Sequence, residues 1–162
     1  MDGRLRNMTA VYLTRGEDIY LLYRQGGRVV SDCYTGTAGG HFEPQELNDA
    51  KACALRELYE ETGLSEQDTK GLSMRYITLR LKNGEIRQNY YFFAELKEHV
   101  TTITSTEGIV RCFAIGELSG IEMPFSAKNV IGHYLREGRY TDILYGGVTT
   151  DSGTDFTPLR EF

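Results

Sequence analysis

The chain is short of the features that mark several large classes of protein. It has only three cysteines, Cys33, Cys53 and Cys112. They are widely spaced and odd in number, which indicates neither a zinc motif nor a disulfide framework. Reduced thiols are expected, with Cys53 and Cys112 as small core residues in apolar contexts. Basic charge is scarce: 18 Lys and Arg against 23 Asp and Glu leave a formal charge of −5. That balance offers no footprint for a nucleic-acid backbone or an anionic membrane surface. A small anionic substrate would need a metal or a few local basic side chains. No run is apolar over the length that crosses a bilayer, and the opening MDGRLRNMTAVYLTRG reads as neither a signal peptide nor a span. A cytoplasmic location is expected. Tryptophan is absent altogether.

What is present is ordinary for a globular protein: 162 residues, 40% hydrophobic and 25% charged, enough for one domain over 1–162 with a full core. Residues 1–7 are polar and read as loose. Thr9–Thr14 and Asp18–Arg24 read as a hairpin about Arg15-Gly16-Glu17, with Gln25-Gly26-Gly27 closing its second strand. Val29–Tyr34 is ambiguous. His41-Phe42-Glu43 reads as a short extended piece stopped by Pro44. Asn48 is the expected N-cap of a helix that ends at Gly63. Ala50, Ala54, Leu55 and Leu58 are its apolar side. After a polar connection, Ser65–Gly71, the segments Leu72–Leu81 and Glu85–Leu96 flank Asn83-Gly84, a hairpin signal. Val110–Ile115 reads as a strand and Ser126–Arg136 as a helix capped by Ser126, with Val130, Ile131, Tyr134 and Leu135 as its stripe. Residues 141–162 read as an irregular tail. The whole is a mixed sheet with two helices, an α+β chain.

The most informative stretch is Gly39–Leu64, GGHFEPQELNDAKACALRELYEETGL. A glycine pair allows close backbone approach to a metal or a phosphate. On the helix that follows, Glu57, Glu60 and Glu61 fall within an arc of ~100°. Like charges at these spacings destabilise a helix, and a divalent cation would reverse that term. Hard carboxylate oxygens suit Mg²⁺, with Mn²⁺ as an alternative. Such an ion can neutralise a diphosphate and acidify a bound water. Arg56 is placed to restrain a glutamate.

The stretch resembles the Nudix hydrolase pattern G-x5-E-x7-R-E-U-x-E-E-x-G-U, U being aliphatic. Gly40 and Glu46 match its opening, and Arg56-Glu57-Leu58-Tyr59-Glu60-Glu61-Thr62-Gly63-Leu64 matches its closing block in full. Nine residues, Leu47–Leu55, separate Glu46 from Arg56 where the pattern has seven, a two-residue insertion. The resemblance implies a Nudix-type α/β/α sandwich with a mixed β-sheet. It implies Glu57 and Glu61 as principal metal ligands and Glu60 as a further ligand or one acting through metal-bound water. Glu46 would contribute to a metal site, the Gly39 carbonyl would be a backbone ligand, and Arg56 would partner a glutamate. The general base would be Glu57 or a glutamate of a later loop, for which Glu107 is the candidate.

The same resemblance implies hydrolysis of a nucleoside diphosphate linked to another group. The segment Glu107–Leu135 is similar to the base-pocket region of MutT-like members, which puts Phe125, Ser126 and Lys128 near the nucleobase and makes 8-oxo-dGTP a candidate. Those members tend to carry a Trp in the corresponding strand, where this chain has Cys112. ADP-ribose or a nucleotide sugar is an alternative substrate, and a non-catalytic nucleotide-binding module an alternative function. Tyr90–Phe93 alternate between two faces, either in the core or stacked on a base. Arg80 and Arg87 are candidates to meet phosphates or to lie exposed. His41 is a candidate phosphate or water contact, or a neutral turn histidine. His99 and His133 carry no pattern. An exposed hairpin edge leaves room for a homodimer.

Overall fold

The computed structural model describes residues 4–24 and 32–161. The β-branched and aromatic segments form strands β1 (Arg4–Arg15), β2 (Asp18–Arg24), β3 (Cys33–Thr35), β4 (Thr69–Lys82), β5 (Glu85–Leu96), β6 (Ile109–Ala114), β7 (Leu144–Thr149) and β8 (Thr154–Leu159). The two α-helices are α1 (Ala50–Thr62) and α2 (Phe125–Arg136). The strands join in the order β3-β2-β1-β5-β4-β7-β8, with β6 paired to β2. The β1/β5 and β4/β7 pairs are parallel and the others antiparallel. The sheet is therefore mixed, as expected.

Alternation along the central strands feeds two separate cores. On one face Tyr12, Tyr76, Tyr91 and Phe93 pack beneath Ala127, Val130 and Ile131 of α2. On the other, Val11, Leu13 and Phe92 pack beneath Ala54 and Leu58 of α1. A helix thus covers each face of the sheet, the sandwich that the resemblance implies.

The site depends on a split in this sheet. β2 pairs with β1 only from Asp18 to Tyr20, then turns to β3. The chain leaving β3 enters the gap and bridges β1 at Val11–Ala38 and Met8–His41. Thr37, fully buried, fills the apex. Its hydroxyl accepts from the Leu13 N–H at 3.2 Å and donates to the Tyr20 carbonyl at 2.7 Å, replacing ladder bonds lost to the split. Gly39 and Gly40 are thereby laid against β1, with the Thr9 N–H donating to the Gly40 carbonyl at 2.8 Å.

Several expectations are corrected. Residues 4–7 are the start of β1, because the parallel ladder with β5 runs down to Arg4–Glu85 and supplies their backbone partners. Pro44 opens a short 3-10 turn, Pro44–Glu46, and α1 is capped by Asp49, whose carboxylate accepts from the Ala52 N–H at 2.9 Å. Leu55 is only half-buried, while Cys53 joins the buried side of α1. Thr69–Gly71 already belong to β4. Ser126 lies inside α2, whose N-cap is Pro124. Residues 144–159 are a hairpin, not an irregular tail. Their Gly and Thr content lowers strand propensity. The open edge of β4 overrides it, and Tyr145 and Phe156 close over Tyr76. Cys112 is exposed, because β6 is a sheet edge, while Cys53 is buried as expected. The Gln25–Gly27 turn and residues 29–31 lie outside the described residues. Among those described, no helix is long and apolar enough to cross a membrane.

The Tyr76 hydroxyl hydrogen-bonds His133 Nδ1 at 2.9 Å where both side chains are buried. Burial lowers the His133 pKa, so the ring is neutral. Tyr76→Phe leaves that nitrogen unpartnered, and urea unfolding should show a loss of about 1–3 kcal/mol. Ahead of β4, the Asp68 carboxylate accepts from His99, from the Ser65 backbone N–H and from the Ser65 hydroxyl. These bonds, His99 first, hold its pKa at about 2, below the ordinary 3.8. A depressed carboxylate contributes stability above the unfolded pKa and loses it as pH falls through the folded one. Asp68→Asn should therefore lower the unfolding midpoint at pH 5, and the difference should vanish by about pH 2.

Candidate active site

α1 carries the expected carboxylates because its two sides are chemically distinct. Cys53, Ala54 and Leu58 are buried toward the sheet, and Gly63, with φ +74°, ends the helix in the left-handed conformation that glycine adopts freely. Burial is graded across the acidic face: the side-chain exposure is 8% for Glu61, 13% for Glu57 and 56% for Glu60. Glu61 points into the split between β1 and β2, while Glu57 faces the glycine pair. A Cβ on Gly40 would collide with the Glu57 carboxylate, so the glycine is what permits this approach.

Two arginines organise these carboxylates. Arg56 donates to Glu46 through Nε at 2.7 Å and Nη2 at 3.0 Å. It also donates to Glu57 at 2.9 Å, Glu60 at 3.0 Å and the His41 carbonyl at 3.0 Å. Glu46 is buried and also accepts from the Glu43 N–H at 2.9 Å. Its bonds to Arg56 hold its pKa at about 2. With both oxygens so occupied, Glu46 is an anchor for Arg56. The second arginine, Arg24, lies 3.3 Å from Glu61 and 3.6 Å from Glu107. A backbone bond from the Thr106 N–H to the Glu61 carbonyl, 2.9 Å, brings the Glu107 loop to the end of α1.

Burial pushes the Glu61 pKa up to about 7, against the opposing pull of Arg24 and the Gly39 N–H. Glu57 is raised as well, first by burial. Among the described residues no three acidic, histidine or cysteine side chains are gathered about one point to hold a metal. The carboxylates are instead turned toward guanidinium groups. The donor set is nevertheless one of hard carboxylate and carbonyl oxygens, the chemistry that suits a divalent cation.

From Glu61 and Gly39 a cavity of about 200 Å³ runs under α2. Its floor is Met8, Ala10, Tyr12 and Tyr91, and Phe125 and Ser126 border its far rim. Arg6, Arg24, Arg80, Arg87 and Asn89 also reach it. Of the three residues expected near a base, Phe125 and Ser126 line the cavity, whereas Lys128 is exposed, its position on α2 carrying it away from the cavity. The His41 ring accepts from Arg6 at 2.6 Å and is exposed outside the cavity lining. Gly39 directs its N–H to Glu61 at 3.3 Å. Of the aromatic run, Tyr91 reaches the cavity while Tyr90 packs against Phe42. Sequence reasoning missed Arg24, Arg6, Asn89 and Thr37. Arg24 ends an unremarkable strand, and only the tertiary split brings it to Glu61.

A family model, the NUDIX domain, matches residues 4–134. Comparison with the curated protein sequences gives no match. Among solved structures, a MutT protein from Bacillus halodurans is similar at a TM-score of 0.65 and 19% identity, over 93% of this chain and 97% of that one. A NUDIX hydrolase from Nitrosomonas europaea gives 0.67 and 15%, over 92% and 81%. An Ap4A hydrolase from C. elegans gives 0.65 and 14%, over 81% and 96%. These likenesses carry the fold, while the family model spans most of the chain, including the acidic helix and the cavity. The chain belongs to the Nudix family and is a Nudix hydrolase, an enzyme acting on nucleoside diphosphate derivatives.

Proposed function

We propose that the enzyme is a Mg²⁺-dependent nucleotide diphosphatase, with Mn²⁺ able to substitute, and that an oxidised purine nucleoside triphosphate such as 8-oxo-dGTP is the substrate to test first. Nudix hydrolases generally use divalent metals and small-molecule nucleotide substrates. The observation that carries this reading is the cavity itself. It begins at the buried carboxylate of Glu61 and is lined onward by arginines over an aromatic floor. That sequence of surfaces suits a metal, a phosphate chain and a base.

Glu57, Glu60, Glu61 and the Gly39 carbonyl would hold the cation, which when bound supplies charge neutralisation on the diphosphate and a more acidic water. Glu57 is one candidate base, since its raised pKa brings it closer to the working pH. Glu107 is the other, held to the site through Arg24. Arg24 lies between Glu61 and Glu107 and lines the cavity, a position suited to charge on a phosphate. Arg56 is a positioning residue: its bonds to Glu46 fix the guanidinium that orients Glu57 and Glu60. Tyr91 and Phe125 offer faces for a base, and Asn89 and Ser126 offer hydrogen bonds to its edge. Water adds to phosphorus as one P–O–P bond breaks, giving a nucleoside monophosphate and pyrophosphate from a triphosphate.

Product analysis on a nucleotide panel with Mg²⁺ tests the proposal. Pyrophosphate release from 8-oxo-dGTP is the expected result. Two monophosphates from a nucleotide sugar or ADP-ribose would move the substrate assignment, and no turnover of any panel member would remove the catalytic reading. Glu57→Gln and Glu61→Gln should each reduce kcat by about 10²–10⁴-fold while thermal unfolding stays cooperative. Arg56→Lys cannot reproduce the fork that spans Glu46, Glu57 and the His41 carbonyl. Chemical denaturation should show about 1–3 kcal/mol lost together with reduced turnover, where a purely structural residue would leave the turnover of the folded fraction intact.

A further inference from the structure

Three arginines form a row across the sheet at the end of the cavity remote from Glu61. In the strand registers Arg6 is paired with Arg87, and Arg87 with Arg80. Directly paired residues share a face. For all three it is the face that carries Tyr12, Tyr91 and Tyr76, the cavity floor and the core under α2. Like charges placed opposite one another in a sheet are destabilising. Here the side chains are also largely withdrawn from water, at 19%, 34% and 20% exposure for Arg6, Arg87 and Arg80. Among the described residues two carboxylates pair with them directly, Glu85 and Asp151, while Asp32 and Glu122 line the adjoining groove and the Arg6 Nε donates to His41. Glu85 lies 2.8 Å from Arg87 and 3.9 Å from Arg6. Arg80 has Asp151 at 3.5 Å, a fully exposed carboxylate, and otherwise lies over the Phe125 ring at 5.3 Å. All three also line the cavity, and Arg80 and Arg87 continue into an adjoining groove.

We propose that Arg6, Arg80 and Arg87 form a second anion subsite, which binds a further phosphate group of the substrate. Arginine forks match phosphate oxygens, and a dianion between the strands converts the repulsion of the row into attraction. The row stands four residues along β1 from Ala10, which is level with the glycine pair, or about 13 Å at ~3.3 Å per residue. That is on the order of a nucleoside's length once the arginine side chains reach inward. A substrate that bears phosphate at both ends of the cavity should therefore bind more tightly than one with a single phosphate group at the Glu61 end. The second phosphate is either on the ribose or at the end of a longer polyphosphate chain. This inference rests on the proposed function only in taking the cavity as the substrate site.

Binding measured by calorimetry without divalent metal tests it independently of turnover. The probes are AMP, adenosine 3′,5′-bisphosphate and 2′,5′-bisphosphate for the ribose source, and adenosine 5′-tetraphosphate for the chain source. One source should bind wild type roughly tenfold or more tightly than AMP, a gain that falls as salt is raised. In the double variant Arg80→Gln/Arg87→Gln the same ligand should fall to within about twofold of AMP, since the charge-assisted bonds are gone. The double variant should unfold at the same or a higher temperature at low salt, because a repulsion has been relieved. Equal or unmeasurable binding of all the polyphosphorylated probes by wild type overturns the subsite, as does a gain that survives in the double variant. Hydrolysis failing on every nucleotide while the gain is present would sink the proposed function and leave the subsite standing.

Discussion

The guanidinium of Arg56 is the interaction on which the rest of the site depends. A guanidinium has five N–H donors in one plane. Here they meet both oxygens of Glu46, the carboxylates of Glu57 and Glu60, and the His41 carbonyl. One side chain thus ties the loop after the glycine pair, the 3-10 turn and the middle of α1. Carboxylates that would repel along the helix are instead held in one arrangement by a cation between them. The loop insertion is tolerated for the same reason. A turn at Leu47–Asn48 and the Asp49 cap take up the path, and Glu46 still arrives at Arg56. A chain that reached this geometry with another spacing would keep the site.

The second constraint is the split between β1 and β2. A hairpin that paired along its full length would have closed the cavity. Thr37 holds the split open by standing in for ladder bonds, and the chain beyond it lays Gly39 and Gly40 beside Glu61 and Glu57. α2 then roofs the space from the opposite side through Phe125 to Ala127. The carboxylate end belongs to one layer of the sandwich and the Phe125–Ala127 wall to the other, and the cavity joins them at the split.

Much of this was legible in the sequence, for reasons that differ by element. The turn of the β4–β5 hairpin and the span of β5 were legible, because Asn83 and Gly84 both take positive φ and local turn chemistry sets the register, while the start of β4 lay three residues earlier than expected. The acidic face of α1 was legible because helical period alone places Glu57, Glu60 and Glu61 together. The pairing of Glu46 with Arg56 was less legible, since which partner a carboxylate meets depends on the loop path. The hairpin β7–β8 was hidden by its glycines and threonines, whose strand state is imposed by the edge of β4. Lys128 lies off the cavity because its place within one helical turn decides whether α2 presents a residue to the cavity or to water. Arg24 carried no local signal at all.

The remaining question is why a chain of net negative charge can serve a polyanion. Net charge governs encounter at long range, whereas binding is decided by the groups within a Debye length of the ligand. In the cavity that local balance is inverted: Arg6, Arg24, Arg80 and Arg87 face a single carboxylate, Glu61. The acids that would spoil it are sequestered, Glu46, Glu57 and Glu60 by Arg56 and Glu61 by Arg24. The arginines therefore have two duties. Arg56 is committed to the protein, with every donor used. Arg24 is shared, one side on a carboxylate and one on the cavity, and it is the contact between the acidic helix and the basic cavity.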